Sequence, residues 1–275
     1  MTRTKKLYDL ELMRELMKVF KEKGIDFFIV GALARDLILE KHGLPSGRAT
    51  KDIDFLVALP DWGKYEILSQ KLCELENFSK DEKIVHRFKY KGVFDVDIIP
   101  FGEISDDEDK IFWPPDERYI MSLLGAEEAA KMADSVENDP GIEIKVVNLA
   151  GLFVLKFIAW FDRHNEGNKD ADDIGLIMQN YPSVNIDRIF NHDDIVEKTD
   201  ADMFLSGAML LGKDIYRMFE NNEKRLRFGQ LLQDEYKKND GSILLMQILE
   251  THPALNFKDI FIAFEYLVDE INSTQ

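Results

Sequence analysis

Cysteine is nearly absent from this chain of 275 residues: Cys73 is the single one, so an internal disulfide and a site of several thiolates are excluded. That scarcity fits a reducing compartment. The five histidines, His42, His86, His164, His192 and His252, are scattered without zinc-ligand spacing. No apolar run approaches the roughly 18 residues that a membrane span needs. No apolar stretch of signal type follows the opening Met-Thr-Arg-Thr-Lys-Lys. A cytoplasmic protein without a membrane partner is expected. Basic residues are also short, 35 Lys and Arg against 52 Asp and Glu, for a net charge of −17. Tight non-specific nucleic-acid binding draws on cations that displace counterions from phosphates, so any such contact is confined to a local patch.

What is present suits a globular protein. Hydrophobic residues make up 45% and charged residues 32%, enough to bury a core in one large or two modest domains. Leu12, Met13, Leu16, Met17 and Phe20 recur at helical spacing and stop at Gly24. A short apolar strand is expected over 25–30, a helix over 32–41 and a second strand over 52–58. Asp61 reads as the N-cap of a helix reaching about Leu75. Residues 85–99 alternate as a hairpin around Gly92, with the return strand ending at Pro100, and one more strand is expected over 142–147. Beyond Asn148 nearly everything reads as helix: 148–163, 170–179, 201–219, 242–250 and 257–271. Strands first and helices later predict an α+β fold. A catalytic domain with a mixed sheet is expected over 1–147, and a helical domain over 148–275.

The strongest local signal is Thr50-Lys51-Asp52-Ile53-Asp54-Phe55-Leu56-Val57. Alternation puts Asp52 and Asp54 on one face of a strand and Ile53 and Phe55 on the other. Two carboxylates on one face of an apolar strand repel each other and resist burial, and a divalent cation is the natural compensation. Asp97 repeats the oddity within Phe94-Asp95-Val96-Asp97-Ile98-Ile99-Pro100, with Asp95 on the same face as a weaker candidate. Three such carboxylates suit a pair of Mg²⁺ ions about 3.5–4 Å apart, which favour oxygen ligands and keep sites for substrate phosphates. Taken alone, Asp-x-Asp also fits a strand end facing solvent. The element before it favours chemistry: Phe28-Ile29-Val30-Gly31-Ala32-Leu33-Ala34-Arg35-Asp36 reads as strand, tight glycine turn and helix start. Backbone N–H groups at such a start suit a triphosphate, and Gly31 lacks the Cβ that would obstruct it.

These motifs resemble the nucleotidyltransferase superfamily of DNA polymerase beta, with its Gly-Gly/Ser, Asp-x-Asp and later lone Asp. More closely they are similar to bacterial AbiEii-type nucleotidyltransferases, the toxins of type IV toxin–antitoxin systems. The resemblance runs through residues 31–36, 48–54 and 97–102, then Leu155-Lys156-Phe157-Ile158-Ala159-Trp160-Phe161-Asp162-Arg163 and Lys169-Asp170-Ala171-Asp172-Asp173-Ile174. It implies a polymerase-beta-like catalytic domain that moves NMP from an NTP to an acceptor hydroxyl. Asp52 and Asp54 would hold two Mg²⁺ ions, with Asp97 completing the site and helping to deprotonate the acceptor. It also implies nucleotide contacts from Gly31, Ala32, Arg35, Lys51, Lys156 and Arg163, and a cognate antitoxin as partner. One departure is Ala32, which stands where the family has a second glycine or a serine and so offers no hydroxyl to phosphate.

By spacing alone Lys156, Ala159 and Arg163 share one helix face. The two cations either complement phosphate or snorkel at a helix end, with Arg163 answering the helix dipole. Asp170 and Asp173 read as caps of the next helix. Arg87, Lys89 and Lys91 either guide an acceptor or, as preferred, guard an edge strand. The acidic stretch around 106–109 reads as a solvated, mobile loop. Gly207-Ala208-Met209-Leu210-Leu211-Gly212-Lys213-Asp214 nearly spells a phosphate-binding loop but ends in Asp214 and follows no strand, so a packed helix is expected. An EF-hand at Asp170–Gly175 is likewise rejected. The acceptor stays open between RNA, including tRNA ends, and a small polycation of aminoglycoside type, which the acidic balance suits. A CCA-adding-like enzyme lacks its downstream arginine motif here, and a catalytically silent binding protein on the same fold is the remaining reading.

Overall fold

Alternating burial along the strands organises the first part of the chain. The computed structural model describes residues 10–45, 52–139 and 142–273. Its elements begin with α1 (Leu10–Lys23), β1 (Phe27–Val30), α2 (Gly31–Lys41), β2 (Asp52–Ala58) and α3 (Trp62–Cys73). There follow β3 (Phe78–Lys80), β4 (Arg87–Tyr90), β5 (Phe94–Phe101), β6 (Lys110–Trp113) and β7 (Tyr119–Ser122). Then come α4 (Ala126–Lys131), β8 (Asp134–Asp139) and β9 (Ile142–Val146). Asp61 caps α3 by accepting the Lys64 N–H at 2.8 Å.

Seven strands form a mixed sheet in the order β3-β4-β5-β2-β1-β9-β8, and β6 and β7 pair as a separate hairpin. The pairs β2–β5 and β1–β9 are parallel, the others antiparallel. In the β2–β5 register Ile53 faces Val96 and Phe55 faces Ile98, and all four are buried. On β4, Phe88 and Tyr90 continue this apolar face, and Phe20 of α1 packs on it with ring centroids 4.6 Å from Phe27 and 5.8 Å from Phe55. The opposite face carries the carboxylates.

Three expectations change here. β4 is not an edge strand but lies between β3 and β5, so guarding an edge is not what its cations do. β5 runs through Pro100 to Phe101. The Ile98 N–H donates to the His86 carbonyl at 2.9 Å, and alternation puts position 100 on the same side, past the end of β4. Proline's missing donor therefore interrupts no ladder. The acidic stretch leads into β6: Asp106 accepts the N–H groups of Glu108 and Lys110 at 2.9 and 2.8 Å.

By contacts the chain divides into two units, residues 1–41 with 45–148, and residues 42–44 with 149–275. The second is helical: α5 (Leu149–Arg163), α6 (Lys169–Val184), α7 (Ile186–Phe190), α8 (Asp193–Lys198), α9 (Met203–Met218), α10 (Asn222–Tyr236), α11 (Ile243–Thr251) and α12 (Phe257–Asn272). The near phosphate-loop motif lies inside α9, where Gly207 to Gly212 are buried. A Cβ on Gly212 would stand 2.8 Å from that of Glu270, which shows how closely α9 and α12 pack. No described helix is long and apolar enough to cross a membrane.

Candidate active site

The turn from β1 into α2 is made by Gly31 at φ +68°, a left-handed conformation that costs any other L-residue strain. A Cβ added there would lie 1.9 Å from Oδ2 of Asp54. The glycine is thus demanded twice, by the backbone and by the carboxylate pressed against it. Ala32 and Arg35 follow, both buried on α2, and Arg35 donates to the neighbouring Asp36 through Nε and Nη2 at 2.9 and 2.7 Å. Arg35 is therefore already engaged inside the fold. Lys51, like Arg48 and Thr50, falls outside the described residues.

Parallel pairing brings the carboxylates together. Asp52 sits opposite Asp95, and Asp54 opposite Asp97, on one face of β2 and β5. Asp52 and Asp54 are half-buried and Asp97 is buried. Four carboxylates so close need positive charge, and β4 supplies it. Arg87 lies opposite Asp97 and donates to both its oxygens, Nε to Oδ1 at 2.7 Å and Nη2 to Oδ2 at 2.8 Å. Its Nη1 reaches Asp95 at 2.9 Å, and Lys89 donates to Asp95 at 2.7 Å. The bond to Asp97, then the charges of Asp97, Asp95 and Asp52, hold the Arg87 pKa above its usual value against burial. Arg87 and Lys89 are therefore the counter-charge of the β5 carboxylates, while Lys91 pairs with Glu11 of α1 at 2.6 Å.

His86 approaches the same carboxylate, its Nε2 3.7 Å from Oδ2 of Asp97. Tyr65 of α3 donates to the Ile98 carbonyl at 3.3 Å. Burial, then the charge of Asp97, pushes its phenol well above the usual range, so it stays protonated.

In the helical unit Lys156 and Arg163 share a face of α5 and meet the carboxylates of α6. Lys156 lies 2.6 Å from Asp173 and 3.2 Å from Asp170. Arg163 donates to both oxygens of Asp170, at 2.8 and 3.0 Å. Burial works to raise the Asp170 pKa, but Lys156 and Arg163 outweigh it and hold it below the ordinary value. Asp170 and Asp173 are thus ion-pair partners of α5, not simple caps.

The donor set of the carboxylate face suits a hard divalent ion: carboxylate oxygens only, on adjacent strands in register, with Asp54 lying where a side chain at position 31 would intrude. Among the described residues no three acidic, imidazole or thiol groups converge as an ion site as the side chains stand. Asp97 is turned instead to Arg87, whose guanidinium stands in for external positive charge.

Comparison with known proteins decides the family. The model of the nucleotidyl transferase AbiEii toxin family, of type IV toxin–antitoxin systems, matches residues 14–266. The chain belongs to the AbiEii family. AbiEii membership makes it a nucleotidyltransferase family protein and accounts for both units, since the match runs across sheet and helices. No curated protein matches the chain. Among solved structures it is similar to the antibiotic-resistance factor ANT(2'')-Ia, at 14% identity and a TM-score of 0.38, over 64% of this chain and 86% of that one.

Arg87 is the residue whose role sequence reasoning missed, although the signal was there. Lys91 and Gly92 turn the hairpin at φ +51° and +65°. Counting outward from Gly92 places Lys89 against Asp95 and Arg87 against Asp97.

Proposed function

We propose that this AbiEii-family chain transfers NMP from an NTP to an acceptor hydroxyl at the Asp52, Asp54 and Asp97 face. The observation carrying this reading is the register that sets Asp54 beside Asp97 while Gly31 leaves room at Asp54. Asp52 and Asp54 are the proposed holders of two Mg²⁺ ions, with Asp97 as third ligand. Divalent ions, when bound there, supply positive charge to the phosphate oxygens and acidify the acceptor hydroxyl.

The chain's own groups do the rest. N–H groups at the start of α2 bind the triphosphate, with Gly31 and Ala32 presenting no bulk to it. Asp97 takes the acceptor proton as the acceptor oxygen bonds to the α-phosphorus and the α–β bridging bond breaks, releasing pyrophosphate. Lys156 and Arg163, oriented by Asp170 and Asp173, are proposed as nucleotide-binding cations of the helical unit. Arg87 holds Asp95 and Asp97 in place by hydrogen bonds until the nucleotide arrives. Family membership points to a cognate antitoxin as partner.

The test is incubation with Mg²⁺, each α-labelled NTP in turn and total RNA, beside Asp54→Ala. Label entering RNA with wild type alone supports transfer to RNA and identifies the base. Label entering an added small molecule moves the acceptor there. If no NTP with Mg²⁺ raises the melting temperature and no label moves, the reading is a silent fold.

A further inference from the structure

Beside the carboxylate face lies a cleft of about 650 Å³, within the usual range for small-molecule sites. Trp62, Tyr65 and Trp113 form its aromatic wall, with centroids 5.0 to 5.6 Å apart. We infer that this cleft seats the acceptor, and that the acceptor is a small, hydroxyl-bearing organic cation. The inference rests on the nucleotidyl-transfer reading of the neighbouring face.

Position comes first. Tyr65 bonds the carbonyl of Ile98, the residue after Asp97. His86, 3.7 Å from Asp97, lies with its ring 5.6 Å from that of Trp113. The cleft wall is therefore one side chain away from the group proposed to take the acceptor proton.

Charge comes second. The described lining residues include three carboxylates, Glu66, Asp81 and Glu82, against one cation, Lys80. Asp81 is kept ionised: the N–H groups of Lys83 and Ile84 donate to it at 2.8 and 3.0 Å and hold its pKa below the ordinary value. An acidic rim beside the partly exposed Trp62 ring attracts an organic ammonium through its charge and that ring face, and repels a phosphate backbone.

The third observation is a donor without an acceptor. Trp113 is only 2% exposed, and its indole N–H finds no hydrogen-bond partner among the described residues. A buried unsatisfied donor is costly, and a ligand oxygen that reaches the indole nitrogen relieves it.

The test is calorimetric titration of the full chain, without NTP or metal, with 1,3-diamino-2-propanol and with 1,3-diaminopropane, which lacks only the hydroxyl. The expected result is saturable binding of both, the hydroxylated amine about fivefold tighter. Trp113→Phe removes that difference, and Glu66→Gln with Glu82→Gln weakens both amines by about fivefold or more. Binding that the glutamate pair leaves unchanged marks general attraction to an acidic surface and overturns the inference. So does the absence of binding, or saturable binding of an RNA trinucleotide in its place. Because no nucleotide is present, these outcomes are independent of whether Mg²⁺ and NTP stabilise wild type but not Asp54→Ala.

Discussion

Arg87 grips Asp97 through both carboxylate oxygens, at 2.7 and 2.8 Å, from the directly opposite position on the neighbouring strand. The same guanidinium bonds Asp95, so one side chain bridges both carboxylates that β5 contributes to the site. Removing it exposes how much the sheet depends on internal charge. Arg87→Met should destabilise the metal-free protein by about 3 kcal/mol, because it leaves carboxylates clustered with less compensation. Added Mg²⁺ should then raise the melting temperature more in the variant than in wild type. Equal shifts in both would show that Arg87 and the ion do not share Asp97.

Gly31→Ala should fail differently. The added methyl overlaps Oδ2 of Asp54 at 1.9 Å, in a backbone conformation hostile to a Cβ. A stability loss of about 1–3 kcal/mol is expected. Displacing Asp54 by an ångström should lower transfer by about a hundredfold. Melting curves and label transfer would separate the two losses.

Lys156 offers a test in the helical unit. Its amine lies 2.6 Å from Asp173, which is 1% exposed by side chain. Lys156→Ala should cost about 3 kcal/mol, while Lys156→Arg should recover part of that. A denaturant titration reads this directly, and an unchanged midpoint would deny the pair a structural role.

Acid should reveal Asp170. Its carboxyl is held below the ordinary value in the folded state, so it adds stability above the unfolded pKa, about 3.9. That stability is lost as pH falls through the lower folded value. Asp170→Asn should therefore be less stable than wild type at pH 7, and the gap should close as pH drops below about 4. A gap that stays constant with pH would assign the loss to packing.

How much of this was legible in the sequence depended on period and symmetry. The strand of Asp52 and Asp54 stood out because charge interrupted an apolar alternation, and the β4–β5 hairpin because Gly92 marked its centre. The same hairpin held the pairing of Arg87, which a one-strand reading of the basic strip passed over. β6 has four residues, Lys-Ile-Phe-Trp, behind an acidic stretch and before two prolines, too short for alternation to assert itself. α10 was hidden by polarity: Phe228, Gly229 and Leu232 are buried, but most of its residues are charged or amide-bearing. Its N-cap, Asn221, which accepts from Glu223 and Lys224, was the available mark. The cleft had no sequence signature, since Trp62 and Trp113 belong to elements far apart in the chain.

The guanidinium on Asp97 has a consequence for the life of the protein. In many metal-dependent domains the ion is a condition of folding, and a chelator unfolds the chain. Here the β5 half of the acidic face, Asp95 and Asp97, is matched by Arg87 and Lys89, both encoded within the sheet itself. On the proposed metal-dependent reading, a chelator should therefore silence transfer reversibly while leaving the fold whole.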